Sequence, residues 1–355
     1  MGSKFLETLH GKLEFPAFFP DATHAKIKGV ENKEIDKCKL SGLVVNTYHL
    51  LKDGLIEEVE KKGGIHKYMG FDKPIISDSG GFQVMSLIHQ SPELGEIDED
   101  KVTFKLDGRK IVLTPEKCIQ IQMKIGADII MCLDDCTRPE SGKKEQELSV
   151  DRTIRWAERC KKEFDRLTKK MIERPLIFGI VQGGESKKLR KKCADGLVKI
   201  GFDGYAFGGW PVKEGKLLNE ILEYTSKSIP NDKPKYAMGL GKPQDIIDCV
   251  KMGYDMFDCV IPTRDARHKR LFAFVKKPTA KNLEKSWEFV YIRGKEAKSK
   301  KKVSDFCGCE CCEKYSLGEV VKMFREKDAL GIKLATIHNL NFYSDLCGVL
   351  GNGKG

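Results

Sequence analysis

The sequence feature that most constrains the fold is a repeat of short apolar runs, each ending in a turn rich in glycine or polar residues. Seven runs are recognisable, at residues 43–45, 74–76, 129–133, 176–181, 205–207, 236–238 and 256–257. Runs of this length without polar alternation are typical of strands buried on both faces.

Helical patterns separate these runs. Thr114 followed by Pro115 predicts a helix start, because threonine caps well and proline suits the first helical position. Residues 117–124 continue that helix, and further helices are predicted at 149–164, 185–200, 214–226 and 242–252. This alternation predicts a parallel α/β fold, best described as a (β/α)8 TIM-type barrel. An open doubly wound sheet is the alternative, although no G-x-G-x-x-G follows the first strand.

Two segments interrupt the alternation. Residues 85–113 do not fit it, and residues 264–340 break it with a basic stretch and a cysteine cluster. We therefore predict a catalytic barrel core at 1–263 and a basic, zinc-binding subdomain at 264–340. Residues 341–355 are predicted to pack on the barrel and to end in a frayed glycine-rich tail from Gly348.

The cysteine cluster has the chemistry of a structural zinc site. Cys307, Cys309 and Cys312 are followed 26 residues later by His338. Three thiolates and one imidazole complete a tetrahedral zinc site with no open position for catalysis. Cys311 is a fourth thiol within the cluster and a competing ligand. Buried or free cysteines are the alternative interpretation.

Composition excludes several classes of protein. The 13 cysteines are an odd number and mostly scattered, which does not suit a secreted disulfide framework and favours the cytoplasm. No apolar run approaches the length of a membrane-spanning helix. The net charge is +11, and residues 264–302 are dense in lysine and arginine. Such a stretch is typical of a surface that binds a polyanion, although a solvated lysine-rich surface is the alternative.

In a parallel barrel, active sites form at the carboxyl ends of the strands. The polar or glycine residues that directly follow the runs are Asn46, Asp78, Ser79, Gln83, Asp134, Gln182, Gly209, Gly239 and Asp258. Three carboxylates are thus predicted to share one mouth. Crowding should raise some pKa values, so that one group carries a proton while another stays ionised. Helix capping is the alternative role for each aspartate.

Glycines at the same ends allow the backbone to approach a flat ligand closely. A planar base gripped by aspartate and glutamine edges would fit such a slot. Phe82 or Met238 would cover the ring face, although either residue is also suited to the core.

The motifs at these strand ends resemble those of the tRNA-guanine transglycosylases. They are Asn46-Thr47-Tyr48-His49-Leu50, Ser77-Asp78-Ser79-Gly80-Gly81-Phe82-Gln83, Asp134-Asp135-Cys136-Thr137, Gly179-Ile180-Val181-Gln182-Gly183-Gly184, Gly204-Tyr205-Ala206-Phe207-Gly208-Gly209, Tyr236-Ala237-Met238-Gly239-Leu240-Gly241 and Phe257-Asp258-Cys259-Val260-Ile261-Pro262-Thr263-Arg264. The zinc ligands match in order and spacing, and the resemblance covers residues 12–345.

The resemblance implies a pentosyltransferase that exchanges the wobble guanine of certain tRNAs for a 7-deazaguanine, either 7-aminomethyl-7-deazaguanine or queuine. It implies Asp258 as nucleophile and Asp78 as general acid/base. By the same resemblance, the base-binding residues are Ser79, Phe82, Gln83, Asp134, Gln182, Gly208, Gly209, Met238 and Gly239. The implied tRNA-binding residues are Arg264, Arg267, Lys269 and Arg270. Structural zinc and a homodimer are also implied.

The chain departs from the family pattern beside the base slot. Trp210-Pro211-Val212 stands where the bacterial pattern has small aliphatic residues. Proline removes a backbone N–H and tryptophan adds bulk. The sequence therefore leaves both bases as alternatives. Glu214 is retained where the family uses a glutamate to steer that peptide.

Three other functions share part of these features. A non-catalytic tRNA-binding subunit would have the same fold but would be expected to lack one of the aspartates. A paralogue that modifies DNA would have the same basic stretch, because phosphate contacts are independent of sequence. A glycoside hydrolase would share the carboxylates but would need neither the glycine-rich slot nor the basic stretch.

Overall fold

The structure is a computed structural model that describes residues 4–352. Its strands are β1 (Phe5–Thr8), β2 (Gly11–Glu14), β3 (Ala17–Pro20), β4 (Leu43–Asn46), β5 (Ile75–Asp78), β6 (Gly95–Ile97), β7 (Val102–Leu106), β8 (Arg109–Leu113), β9 (Ile129–Met131), β10 (Leu176–Val181), β11 (Gly204–Phe207), β12 (Val212–Lys213), β13 (Lys216–Leu217), β14 (Lys235–Ala237), β15 (Met256–Cys259), β16 (Arg270–Phe274) and β17 (Trp287–Tyr291).

The α-helices are α1 (Thr47–Lys52), α2 (Ile56–Lys61), α3 (Ile65–Met69), α4 (Gly81–Gln90), α5 (Pro115–Ile125), α6 (Lys143–Thr168), α7 (Lys187–Ile200), α8 (Asn219–Ser228), α9 (Pro243–Lys251), α10 (Ile261–Arg267), α11 (Glu310–Lys314), α12 (Leu317–Arg325) and α13 (Ala329–Asn352). None of the helices in residues 4–352 combines the length and apolar composition needed to cross a lipid bilayer.

Eight parallel strands form a nearly closed barrel, which confirms the predicted fold class. Their order around the sheet is β3-β15-β14-β11-β10-β9-β5-β4. The two end strands meet where Asp21 pairs with Val44 and the Ala22 N–H donates to the Val44 carbonyl oxygen at 2.8 Å. The open doubly wound sheet is therefore wrong, because an open sheet would leave β3 and β4 far apart.

The barrel strands are apolar because side chains on both of their faces are buried. One cluster fills the interior and includes Phe19, Ile76, Met131 and Phe178, each fully or almost fully buried. The larger cluster packs the outer faces of the strands against the surrounding helices. Burial on both faces explains why these strands lack polar alternation.

The predicted helices are present, with one difference in the fourth. The Thr114 hydroxyl accepts from the Lys117 N–H and caps α5 as expected. The predicted helix at 214–226 begins only at Asn219, because β12 and β13 form a small hairpin before it. Glu214 and Gly215 both have positive φ at the turn of that hairpin, a conformation that a helix does not allow.

Both interruptions of the alternation are visible. After α4, strands β6, β7 and β8 form a separate antiparallel sheet. After α10, the β16–β17 hairpin and helices α11 and α12 lead into α13, which packs against β3, β16 and α10. Helix α13 runs across the predicted boundary at 340 and continues past Gly348 to Asn352, where a frayed tail was predicted. Residues 353–355 of that tail lie outside the described residues.

Candidate active site

The predicted catalytic carboxylates lie together at the carboxyl end of the barrel. Asp78 is the last residue of β5, and Asp258 lies in β15. Burial raises the pKa of Asp78 to about 7, and the charges of Asp258 and Asp134 add to the shift. The Asn46 side-chain amide donates to Asp78 at 2.9 Å, and this hydrogen bond lowers the pKa and so offsets part of the rise. Asp78 is therefore partly protonated near neutral pH.

Asp258 is held in a different environment. The Tyr236 hydroxyl donates to one of its oxygens at 2.7 Å, and the Gly239 N–H donates to the same oxygen at 2.8 Å. Burial raises the pKa of Asp258 to about 6, while these two donors stabilise the charged form and lower it. Asp258 therefore loses its proton at a lower pH than Asp78 does, and it is the more ionised of the two near neutral pH.

Tyr236 contacts the proposed nucleophile, but the sequence analysis gave it no role of its own, although it stands in an apolar run and in one of the family motifs. It lies in β14, which is the neighbour of β15 in the sheet, and its ring is fully buried in the barrel interior. A tyrosine in an otherwise apolar barrel strand needs a partner for its hydroxyl. That requirement is the signal that points to a role for Tyr236.

A second group of predicted residues forms a polar slot beside the carboxylates. The Gln182 side-chain amide donates to Asp134 at 2.6 Å, and both side chains are buried. The Gly208 backbone lies against the Gln182 amide, because a Cβ added there would be only 2.5 Å from Gln182 Nε2. Only a residue without a side chain fits at this point of the slot.

The remaining predicted slot residues line the start of α4 or the turn after β14. Ser79 is buried, and its hydroxyl accepts from the Gly81 N–H. The Gln83 Oε1 is buried and has no hydrogen-bond partner in the described part of the protein. Met238 is partly buried against the interior cluster, and Gly239 has φ +71°.

Two exposed aromatic rings lie next to this slot. Phe82 and Trp210 are 38% and 42% exposed, and their ring centroids are 5.5 Å apart in an edge-to-face arrangement. The Trp210 indole N–H donates to the Thr137 carbonyl oxygen at 3.2 Å. Glu214, which was expected to steer the neighbouring peptide, lies exposed at the hairpin turn.

The four predicted cationic residues lie in α10 or within three residues after it, and they differ in their contacts. Arg264 is half-exposed, and Arg267 donates to the Thr263 carbonyl oxygen within α10. Arg270 forms an ion pair with the buried Asp265 at 2.7 Å and lies over the Phe289 ring. Lys269 has φ +63° in the turn between α10 and β16. Arg270 is therefore already engaged by the protein itself.

A buried site of three cysteines and one histidine is present, as the spacing predicts. The sulfurs of Cys307, Cys309 and Cys312 and a nitrogen of His338 all lie within 4.8 Å of one another. His338 Nε2 is 2.8 Å from the Phe272 carbonyl oxygen, so this nitrogen carries the proton and Nδ1 faces the sulfurs. Such an oriented set of soft ligands fits zinc. Cys311 is buried but lies outside the group.

A second cluster of potential metal ligands lies at the opposite end of the barrel. His10 and His66 each bond one oxygen of the buried Asp128, at 2.9 and 2.8 Å. The backbone N–H groups of His10 and Ile75 bond the same two oxygens. The carboxylate is therefore fully used in closing the amino end of the barrel, where side chains serve stability.

The buried Asp134 gives a prediction about stability. Burial raises its pKa to about 7 in the folded protein, so its contribution to stability is complete below about pH 4 and is lost as the pH rises to 7. Asp134→Asn removes this loss and keeps an oxygen for Gln182. We expect the variant to be more stable than the unsubstituted protein at pH 8, by on the order of 1 kcal/mol, and no more stable at pH 4. Thermal unfolding at both pH values measures this, and the exposed Asp232→Asn is the control.

The family model described as queuine tRNA-ribosyltransferase matches residues 4–350. A queuine tRNA-ribosyltransferase of Halothermothrix orenii is 40% identical over 344 residues, which cover 96% of this chain and 87% of the relative. Its counterpart from Caldanaerobacter subterraneus subsp. tengcongensis is 41% identical over 340 residues, which cover 95% and 85%.

Proposed function

Because the chain belongs to the queuine tRNA-ribosyltransferase family, we propose that this tRNA-guanine transglycosylase exchanges a wobble guanine for a 7-deazaguanine through a covalent intermediate. The observation that carries the mechanism is the pair of carboxylates at one mouth, Asp258 with two hydrogen-bond donors and Asp78 with a raised pKa. Two carboxylates in unequal environments are what a double displacement at a sugar needs.

In the first step, a carboxylate oxygen of Asp258 attacks C1′ of the ribose. The bond between C1′ and N9 of guanine breaks, and its electron pair leaves with the base, which takes a proton from Asp78. In the second step, Asp78 takes the N9 proton of the incoming base, whose nitrogen attacks C1′ and releases Asp258. Two inversions leave the configuration of the sugar unchanged.

The slot beside the carboxylates is the proposed base site. The Asp134 carboxylate would accept from the ring N–H and the amino group of guanine, while Gln182 and the Gly209 N–H would bind its carbonyl oxygen. Ser79, Gln83 and Gly208 would complete the polar edge, and Phe82, Met238 and Gly239 the faces. The buried and unpartnered Gln83 oxygen supports a polar ligand at this position.

The division of the chain follows from this assignment. Residues 1–263 would carry the chemistry, and residues 264–340 would grip tRNA phosphates through Arg264, Arg267 and Lys269, with Arg270 contributing less because Asp265 holds it. None of the 13 cysteines, all of which lie within residues 4–352, forms a disulfide, which supports the cytoplasm as the compartment. We further propose a homodimer, in which the second subunit helps to position the tRNA.

The site formed by Cys307, Cys309, Cys312 and His338 is proposed to hold structural zinc. It ties α11 to α13, and through the carbonyl oxygen of Phe272 it is linked to β16. Zinc at this position would stabilise the subdomain and would take no part in the exchange, since the four ligands leave no open position.

The incoming base is proposed to carry a cationic 7-substituent. Pro211 has no N–H, so the peptide between Trp210 and Pro211 offers a ligand only a carbonyl oxygen, which is an acceptor. Both 7-aminomethyl-7-deazaguanine and queuine have an ammonium group that would donate to it. The bulk of Trp210 beside Phe82 favours the smaller of the two.

The deciding experiment is the release of radiolabelled guanine from the wobble position of a tRNA. Each of the two bases is supplied separately to the enzyme, with 7-cyano-7-deazaguanine as the uncharged control. We expect release with 7-aminomethyl-7-deazaguanine and little with the cyano base. Release with queuine and none with 7-aminomethyl-7-deazaguanine would show that queuine is the incoming base. No release with any base, despite tRNA binding, would favour the non-catalytic subunit or a DNA substrate.

A further inference from the structure

Arg190, in α7, is a buried cation for which the reaction as described has no use. Its side chain is 1% exposed, and no carboxylate of the described residues pairs with it. Instead its guanidinium donates to three backbone carbonyl oxygens, those of Gly184 at 2.9 Å, Val181 at 2.6 Å and Gly208 at 2.9 Å. Because these partners are neutral, the positive charge of the guanidinium is not cancelled and acts on the groups around it.

Keeping this charge buried is unfavourable for the fold. Removing a guanidinium from water is costly unless the group is well bonded. Burial lowers the pKa of Arg190 to about 10, so the group is still charged at neutral pH. The Phe207 ring lies 4.0 Å from the guanidinium carbon and offers a cation–π contact. A residue held at such a cost is a candidate for a role in function.

The three carbonyl groups belong to the two strand ends that build the base slot. Val181 and Gly184 flank Gln182 after β10, and Gly208 follows β11. The turn after β10 packs closely against α7, because a Cβ at Gly183 would be 2.6 Å from the backbone nitrogen of Arg190. Arg190 therefore adds a side-chain link between the two turns, beside the backbone bond from the Gly208 N–H to the Val181 carbonyl oxygen.

The contact with Gly208 has an electronic consequence. The carbonyl of Gly208 and the N–H of Gly209 are two ends of one peptide group. A hydrogen bond from a cation to the oxygen draws electrons from the nitrogen, so the N–H becomes a stronger donor. Gly209 has φ +86°, and a Cβ added to it would lie 3.2 Å from the Gln182 side-chain oxygen and 3.5 Å from the Arg190 guanidinium.

We propose that Arg190 is a positioning residue that joins the turns after β10 and β11 and polarises the 208–209 peptide toward the departing base. This role rests on the proposed function, which places the carbonyl oxygen of the base at Gln182 and Gly209. When the bond between C1′ and N9 breaks, part of the electron pair that leaves with the base is delocalised onto that oxygen. A donor strengthened in advance stabilises this charge without reorganisation.

Two variants of Arg190 test the role. Arg190→Met fills a similar volume but removes every donor, and Arg190→Lys keeps the charge but cannot reach three carbonyl groups at once. The measurements are kcat for guanine exchange per folded enzyme, KM for guanine and KM for tRNA. Circular dichroism gives the folded fraction. The control is Lys199→Met, an exposed position on the same helix.

We expect Arg190→Met to lower kcat at least about ten-fold and to raise KM for guanine, with KM for tRNA changed less than about two-fold. Arg190→Lys should lie between this variant and the unsubstituted enzyme, and it decides the question if the Met variant does not fold. A kcat per folded enzyme within two-fold for both variants, or a loss expressed only in KM for tRNA, would overturn the role. An unsubstituted enzyme that exchanges no guanine would overturn the proposed function, and this role with it.

Discussion

Asp258→Asn is expected to lower the rate of guanine exchange by at least about a thousand-fold, because an amide oxygen is too weak a nucleophile to attack the ribose. The fold should not change. Tyr236 and the Gly239 N–H can donate to the asparagine oxygen as they do to the carboxylate. Binding of tRNA should stay within a few-fold, since it depends on the phosphate contacts of other residues.

Two assays measure these expectations. Release of radiolabelled guanine gives the rate, and a denaturing gel shows the covalent complex between enzyme and tRNA. The unsubstituted enzyme should form the complex, and Asp258→Asn should form none. Asp78→Asn is the matched variant, because it removes the other carboxylate of the same mouth but keeps the nucleophile. A covalent complex with Asp258→Asn and none with Asp78→Asn would show that the two assignments must be exchanged.

The barrel was largely predictable because seven of its strands are apolar runs that end in recognisable turns. The first barrel strand, β3, was not assigned. Its run ends in Pro20 and is followed by Asp21 without a glycine-rich turn. Its place is determined by pairing with β15 and by the bridge to Val44, contacts that join residues far apart in the sequence. A local pattern does not contain that information.

The polar residues of the mouth were predictable for a similar reason, since strand ends in a parallel barrel converge. The buried side chains that hold these polar residues in place could not be predicted. Arg190 appears in the sequence as one basic residue among several in an amphipathic helix, between Lys188 and Lys191. Only the fold shows that α7 directs this one side chain inward, to carbonyl groups of two different turns. Neither the burial of Arg190 nor its partners can be inferred from the spacing of charges.

Loss of one proposed zinc ligand should have the largest effect on stability. Cys312→Ala is expected to lower the free energy of unfolding by on the order of 3 kcal/mol or more, because a structural metal contributes directly to folding. The neighbouring Cys311→Ala is the matched control. Its thiol is equally buried in the same short helix, but it lies outside the ligand group. The Cys311→Ala protein should lose only the packing of one sulfur, and it should bind as much zinc as the unsubstituted protein.

Metal content and thermal unfolding, measured on the same samples, separate the two cysteines. One zinc per chain is expected in the unsubstituted protein and in Cys311→Ala. Removal of zinc by a chelator should lower both of their unfolding midpoints toward that of Cys312→Ala, and added zinc should restore them, since a metal that binds only the folded state stabilises it by mass action. The Cys312→Ala protein should respond little to either treatment. Full zinc content in Cys312→Ala, or equal unfolding midpoints for the two variants, would contradict the assignment of Cys312.

The α13 helix explains the size of the expected effect, because it carries His338 and also packs against β3 and α10 of the barrel. Losing the metal would therefore loosen the subdomain where it joins the barrel beside β15, the strand that carries the proposed nucleophile Asp258.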